Sequence, residues 1–392
     1  MASITKMSLQ EYQMASIPKE KYGWPIRQPS HHIKLSKLEE LRLESDEVAD
    51  KALEILIREN ISIDSYLDEV SDAYNSNREI RYSDNNLRQM NKEITTYPPW
   101  LDYAKLNLGQ VVFYKYSGSA SMGLLYFSLI GGFSAPKIVK VLDQTAYLTK
   151  GSFDATFKRL NETLEMILDS IEEPDNLKIG KRGWNSVLKV RFLHSKVRER
   201  IKRNNNWDTA LYGNPINMED MIATLMSFSI NISETIKKVG APITKEEVNA
   251  YIHLWRYIGY LIGVKEAYNP CTSIERCMGT VESIVLHILT PDARSGQVAR
   301  HVLRSVSHRP LLNWSYLAHS ECARALLGNP LADELGLERS LIHKIYVKMI
   351  LFIMFLFQYF IGYFSFNHES KLIKKTKRLM RFAVNRALNK NN

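Results

Sequence analysis

Apolar residues recur at helical spacing along most of the chain. From Leu38 to Glu59 they stand three or four residues apart, which places them on one face of a helix. The same period returns over Asp154–Ile171, Trp184–Lys202 and Val248–Val264. Alternation of apolar and polar residues never continues for more than a few positions, which argues against an extensive sheet. The pattern predicts an all-α fold.

Prolines and glycines separate these helical stretches. Pro98-Pro99 interrupts the chain before the apolar stretch Leu106–Ile130, and Gly131-Gly132 follows it. Pro136 is tolerated in a first helical turn, so Ala135–Leu148 is predicted to form a new helix. These breaks predict an irregular N-terminal arm over residues 1–33, one helical domain over 34–340, a candidate membrane helix over 345–366 and a basic tail over 367–392.

A long apolar run lies near the C-terminus. Met349–Phe366 holds eighteen residues without a charge, close to the roughly 20 that a membrane-spanning helix needs. A buried core helix is the alternative. Lipid is favoured because the tail that follows carries eight Lys or Arg against one acid, which is +7 of the net charge of +10. The run is therefore predicted to attach the protein to a membrane, and nucleic acid is not an expected partner.

The side of the membrane follows from the N-terminus and the cysteines. The first thirty residues lack the order of a signal peptide. The odd set of Cys271, Cys277 and Cys322 excludes a fully paired disulfide framework. The main domain is therefore expected on the cytosolic side. A helix that enters one leaflet and returns, or a C-terminal anchor across the bilayer, would both satisfy this.

A single histidine stands on the inward face of one predicted helix. His194 follows Val190 by four residues and precedes Val197 by three, so all three share one side. A hydrogen-bonded core histidine is the common outcome of this pattern. A haem ligand is the alternative, because haem needs a neutral imidazole in a dry pocket and cations for its propionates. Arg191 and Arg198 supply such cations.

The segment GKRGWNSVLKVRFLHSKVR resembles the haem-binding helix of the latex clearing proteins and of a fungal membrane-bound oxygenase of mycophenolic acid biosynthesis. Members of this superfamily carry a V-R-x-x-H-x-x-V-R segment, and His194 falls on its iron-ligating histidine. Further likeness runs from about Trp100 to Leu337, including LGQVVFYKYSG, SLIGGFSAPKIVKVLDQTAYLT and INMEDMIATLMSFSI. The resemblance implies a globin-like helical core with one b-type haem and its iron, attached to the membrane of the endoplasmic reticulum.

The distal side of the site departs from the latex clearing proteins. The family places an Arg, a Lys and a Thr on its distal helix, where this chain has Val141, Gln144 and Thr145. Leu125 stands in place of the family's catalytic Glu. Gln144 is expected to donate a hydrogen bond to O₂, assisted by Thr145 or Thr224. Helix capping and core filling are the alternative roles of these side chains.

Two more residues complete the predicted site. Arg256 is expected to reach a haem propionate, as Arg191 and Arg198 are. His287, in the apolar stretch Val281–Leu289, is the rival ligand for the iron.

The resemblance implies a membrane-attached, haem-dependent oxygenase. With O₂ it is expected to cleave or oxidise a C=C bond of an apolar isoprenoid or prenylated lipid. Two other functions remain open because of the altered distal residues: a haem protein that binds a gas without oxygenating a substrate, and a lipid-binding scaffold that retains only the fold.

Overall fold

The computed structural model describes residues 18–145, 151–203, 207–309 and 313–390, and this part of the chain is almost entirely helical. The first helices are α1 (Leu35–Leu43), α2 (Glu47–Arg58), α3 (Ile63–Asn75), α4 (Asn85–Ile94), α5 (Tyr103–Lys115) and α6 (Ser117–Met122). A π-helix (Gly123–Ile130) leads to α7 (Pro136–Thr145), α8 (Phe153–Ile171), α9 (Arg182–Arg203) and the short α10 (Thr209–Tyr212).

The second half continues with α11 (Met218–Phe228), α12 (Ile230–Lys238), α13 (Lys245–Leu261), α14 (Ile274–His287), α15 (Ala293–Val306), α16 (Tyr316–Leu327), α17 (Asn329–Glu334), α18 (Leu341–Gly362) and α19 (Lys371–Ala387). Short 3₁₀-helices lie at Pro29–His31 and Glu266–Tyr268. The predicted all-α fold is confirmed.

Polar residues begin many of these helices as the sequence pattern indicates. The Thr244 hydroxyl accepts from the Glu247 backbone N–H at 3.1 Å, and the Glu247 carboxylate accepts from the Thr244 N–H at 3.0 Å. This reciprocal pair satisfies two N–H groups that the helix leaves without partners. Asn217 begins α11 in the same manner, accepting from the Asp220 N–H at 2.9 Å. The predicted starts of α11 and α13 are confirmed.

Two long apolar stretches contain breaks that the periodicity did not indicate. The stretch predicted as one helix from Leu38 to Glu59 divides into α1 and α2, because Asp46 caps α2 by accepting from Ala49 N–H at 3.2 Å. The stretch from Leu106 to Ile130 divides into α5, α6 and the π-helix. A π-helix widens the turn and is uncommon outside functional sites.

Helices α5 and α13 form the most closely packed pair of the main core. Gly109 on α5 faces the backbone of Ala250 on α13, and a Cβ at Gly109 would lie 2.9 Å from the Ala250 carbonyl carbon. A larger residue there would separate the two helices. The core that they begin continues into α9, whose Trp184, Leu188 and Phe192 are fully buried.

The described part of the N-terminal arm lies against the helical domain. Strands β1 (Glu20–Lys21) and β2 (Trp24–Pro25) form a two-residue antiparallel pair. The Trp24 indole N–H donates to the Leu327 carbonyl oxygen at 2.6 Å. The arm predicted to be irregular therefore contains a short hairpin that closes over α16.

The C-terminal segments both return to the domain. The apolar helix α18 starts and ends slightly earlier than predicted. The basic tail, predicted as a lipid contact, forms α19, which packs on α5 and α8 and buries Ile373 and Val384 completely.

Candidate haem site

The side chains of α9 fall into three groups according to their surroundings. Trp184, Leu188 and Phe192 are buried in the main core. Arg191 and Arg198 are buried against other helices. Val190, His194 and Val197, which sequence spacing placed on one side, are only partly buried. His194 therefore stands on a strip of α9 that the packed core leaves open.

The His194 imidazole lacks the hydrogen bonds that a structural histidine makes. Its Nδ1 is buried and finds no hydrogen-bond partner among the described residues. Burial, together with the positive charges of Arg198 and Arg159, lowers the pKa of His194 to about 4. The imidazole is neutral near pH 7, which is the form that binds iron. A buried nitrogen without a partner is costly in a core residue and fits a residue that ligates a metal.

A haem at this site would need one ligand from the protein. Within the described ranges no three His, Cys, Asp or Glu side chains come together as a metal site. In haem the porphyrin supplies four ligands, so one protein imidazole is sufficient. His194 and the half-buried apolar residues beside it fit a haem.

The two arginines beside His194 are held by carboxylates. Arg191 donates to Asp46 at 2.6 and 2.9 Å and to Glu93 at 2.6 Å. Arg198 donates to Asp50 at 2.7 Å and to the Ser195 hydroxyl at 2.9 Å. These ion pairs join α9 to α2, and the expected contact of both arginines with haem propionates stays a prediction.

Arg256 is also engaged within the protein. Its guanidinium group donates to Glu266 at 3.1 Å and lies over the Trp100 ring, 3.9 Å from the ring centroid. Nearby, His253 Nε2 accepts from the Asp102 backbone N–H at 3.0 Å. The expected contact of Arg256 with a haem propionate stays a prediction.

The rival histidine lies in a different environment. His287 is the last residue of α14 and is exposed. Partial burial, together with the charges of His32 and Lys21 of the N-terminal arm, lowers the pKa of His287. An exposed helix end beside the arm does not provide the dry pocket that haem requires, so the structure favours His194.

The predicted distal residues lie on α7 and the π-helix. Val141 is buried and Gln144 is half-buried, while the side chain of Thr145 lies outside the described part of the structure. Asp143, next to Gln144, forms an ion pair with Arg294 of α15 and so fixes the end of α7. Leu125, in the π-helix, packs against a second apolar cluster.

Sequence reasoning missed Asp220, an acid one helical turn before Thr224. Thr224 is exposed, and Asp220, one turn earlier on the same face of α11, is half-buried. Burial, reinforced by the charge of Glu219, raises the pKa of Asp220 to about 7, and Arg42 and Lys137 oppose this. Lys137 belongs to α7, and burial lowers its pKa. An acidic first helical turn is common, so the sequence alone did not single out Asp220.

Asp220 and His194 share one uncommon property. Burial dominates the pKa of each group, yet each keeps accessible surface. The two helices also meet close by, since Arg198, one turn after His194, donates to the Ile216 carbonyl oxygen just before α11 at 3.3 Å.

Known proteins resemble this chain in sequence and in fold. The sequence model of the family described as "ER-bound oxygenase mpaB/B'/Rubber oxygenase, catalytic domain" matches residues 114–351. A rubber oxygenase of Streptomyces sp. (strain K30) is 27% identical over 188 residues, which are 47% of this chain and 45% of that protein. The match thus spans less than half the length of this relative.

A solved structure of latex clearing protein in its closed state has the same fold. The two structures superpose with a TM-score of 0.59 over 88% of this chain and 90% of the other, at 17% sequence identity. The family match covers more than half of the chain and includes His194, α7 and α11. The protein therefore belongs to the family of the ER-bound oxygenase mpaB and the rubber oxygenase catalytic domain.

Proposed function

We propose that this protein is a haem-dependent oxygenase that uses O₂ to cleave or oxidise a C=C bond of an isoprenoid or prenylated lipid. The observation that carries the proposal is the His194 imidazole. Inside the segment matched by an oxygenase family, this partly buried imidazole is neutral, and its buried Nδ1 makes no hydrogen bond to any described residue. In this proposal His194 is the protein's ligand to the iron of a b-type haem.

The protein around His194 holds the ligand in place. Arg191 and Arg198 join α9 to Asp46 and Asp50 at the start of α2, which fixes the turn of helix between them. His194 lies on that turn. Haem, when bound, supplies the activation of O₂. The side chains of the protein orient the cofactor, exclude water and manage protons.

The polar residues of α7 and α11 take over part of the role of the missing distal acid. Leu125 and Val141, where the latex clearing proteins have Glu and Arg, make that side apolar and help to exclude water. Gln144 donates a hydrogen bond towards O₂. In this proposal Asp220 of α11 is the proton-holding group, because its raised pKa lets it keep a proton near pH 7.

The substrate is proposed to be an apolar chain taken from a membrane. Half-buried apolar residues beside His194 suit an isoprenoid better than a polar metabolite. The exposed apolar helix α18 supports attachment to a membrane, proposed to be that of the endoplasmic reticulum with the main domain on the cytosolic side. The altered distal side favours a short prenyl chain over a rubber-like polymer.

An oxygen-consumption assay tests this function. Purified full-length protein is reconstituted with haem, and its visible spectrum is recorded with and without dithionite. It is then mixed with a farnesylated aromatic compound or with polyisoprene, and the products are identified by mass spectrometry.

We expect O₂-dependent carbonyl fragments from the farnesyl compound and none from polyisoprene. A haem spectrum without any product from several prenylated compounds would indicate gas binding. Failure to bind haem at all would favour the lipid-binding scaffold.

A further inference from the structure

Helix α18 exposes a row of large apolar side chains along its whole length. A soluble monomer rarely exposes an apolar patch larger than about 300–600 Å², and this row runs over six helical turns. Exposed members of this row include Ile345, Met349, Phe352, Ile353, Phe357 and Phe360. Such a surface requires an apolar partner.

The opposite face of α18 is attached to the domain. Val347 and Gln358 are buried, and the Ser119 hydroxyl of α6 donates to the Gln358 side chain. Tyr346 contacts Trp314 edge to face, with the ring centroids 6.1 Å apart. These contacts lie near both ends of the helix, so α18 follows the domain surface.

Glycines allow this close approach. A Cβ at Gly118 would lie 3.0 Å from Met354, and a Cβ at Gly240 would lie 2.5 Å from the Phe355 ring. Gly362 stands directly against Pro242 in the same way. Because several separate glycines are required, the packing of α18 on the domain is specified by the sequence.

Both ends of α18 stay on the same side. Before the helix, the Ser340 N–H donates to Glu321 of α16 at 2.6 Å. After it, Arg381 of α19 forms an ion pair with Asp169 of α8 at 2.9 Å. A helix of 22 residues that crossed a bilayer would separate its ends by roughly 30 Å of hydrocarbon. Attachment of both ends to one domain favours a helix that does not cross the bilayer.

The charges around the exposed row indicate which partner fits it. Residues 340–368 contain no Asp or Glu. Lys344 and Lys348 are exposed on α18, and Lys371, Lys375 and Arg378 are exposed on α19. A second copy of the chain would bring like charges together, whereas anionic lipid headgroups would neutralise them. The partner with matching chemistry is an anionic lipid surface.

We propose that α18 lies in the plane of an anionic membrane surface, with its exposed row in one leaflet and its other face attached to the domain. The basic residues of α18 and α19 contact the headgroups at the edges of the row. This inference rests on the membrane attachment proposed above and adds the orientation in which the protein meets the leaflet that holds its substrate. Its tests require no haem, so they can fail independently of the oxygenase proposal.

Vesicle flotation tests the surface. Full-length protein is mixed with phosphatidylcholine vesicles, with and without phosphatidylserine. The variant Phe352→Ser/Phe360→Ser is compared with the control Leu43→Ser/Ile57→Ser, whose residues are 62% and 52% exposed against 59% and 65% for the phenylalanines. Binding should need phosphatidylserine and fall about tenfold in the α18 variant alone.

Equal losses in both variants, or unchanged binding in the α18 variant, would overturn the proposal. The proposal would also be overturned if the parent protein failed to bind vesicles and instead formed a concentration-dependent dimer that the α18 variant abolishes.

Cysteine labelling tests the orientation. The native Cys271, Cys277 and Cys322 are buried, so new cysteines at the exposed positions Lys344→Cys and Lys371→Cys are distinguishable. In sealed membranes from expressing cells, a membrane-impermeant maleimide added on the side of the domain should label both positions. Labelling of Lys344→Cys but not of Lys371→Cys until the membrane is opened would show a crossing helix and contradict the proposal.

Discussion

His194 and Arg198 stand one turn apart on the same helix, but only one of them is satisfied by the protein. Arg198 donates to Asp50 at 2.7 Å, to Ser195 at 2.9 Å and to the Ile216 carbonyl oxygen at 3.3 Å. The buried Nδ1 of His194 has no partner among the described residues. This contrast separates the residues that build α9 into the fold from the residue that is available to a cofactor.

The arginines should prove structural. Arg191→Met leaves Asp46 buried without its cation, and removing one partner of a buried pair costs about 3–5 kcal/mol. Urea denaturation of the haem-free protein should show this loss. Lys196→Met on the exposed side of the same helix is the control and should change stability by less than about 0.5 kcal/mol. An Arg191→Met protein that weakens haem binding at unchanged stability would instead restore the propionate role.

Asp220 should make stability depend on pH. Its pKa is raised to about 7 in the folded protein, so between about pH 4 and pH 7 the folded chain holds a proton that the unfolded chain releases. The loss of folding stability caused by Asp220 therefore grows as pH rises through this range, and it reaches its full size above pH 7. Asp220→Asn should be more stable than the parent by about 4 kcal/mol at pH 8 and close to it near pH 4.

Charged side chains from three helices act on the pKa of Asp220. Glu219 on its own helix raises the pKa, while Arg42 of α1 and Lys137 of α7 lower it. Thermal unfolding of the haem-free protein across this pH range measures the difference. Asp68→Asn, at an exposed position of α3, should leave the pH profile of the parent unchanged. Parallel profiles for the parent and Asp220→Asn would show that Asp220 titrates as an ordinary surface carboxyl.

The contact between Gly362 and Pro242 should not tolerate a methyl group. Gly362→Ala places a Cβ against the proline ring, and overpacking of this kind costs about 1–3 kcal/mol. Gly132→Ala is the matched control, because a Cβ there meets nothing within 4 Å. Differential scanning calorimetry should separate the two. Equal melting temperatures would mean that the end of α18 is not held against the domain.

The distal glutamine should affect turnover and not haem loading. Gln144→Leu removes the hydrogen bond proposed to reach O₂, so the reconstituted protein should keep its haem spectrum, oxidise faster in air and turn over a prenylated substrate about tenfold more slowly. Thr145→Val is the comparison, because neighbours on a helix differ by about 100° in direction. A change in Thr145→Val alone would assign the distal face to Thr145.

Local sequence signals predicted much of the fold. Thr244 and Asn217 began the helices expected of them, because helix capping depends on residues only three positions apart. The break at Asp46 was missed although its cap on the Ala49 N–H is local, because apolar residues continue at helical spacing on both sides of it. The docking of α18 was missed as well, because it depends on contacts between segments distant in sequence, as between Gly362 and Pro242.

The candidate site was predictable in part. Helical period placed His194 on the same strip as Val190 and Val197, which the structure leaves partly buried together. The helical spacing could not show which groups Arg191 contacts, because an arginine that binds a cofactor and an arginine in an ion pair have the same sequence pattern. Asp220 was overlooked for a similar reason, since its raised pKa comes from burial by distant segments.

The absorption spectrum of the His194→Ala protein tests the central claim most directly. The parent, His194→Ala and the exposed control His287→Ala are purified in the same detergent and titrated with haem, and circular dichroism confirms that each is folded. The account predicts a haem Soret band in the parent and in His287→Ala, and its loss or strong shift in His194→Ala. An unchanged spectrum in folded His194→Ala, or loss of the band in His287→Ala instead, would contradict it.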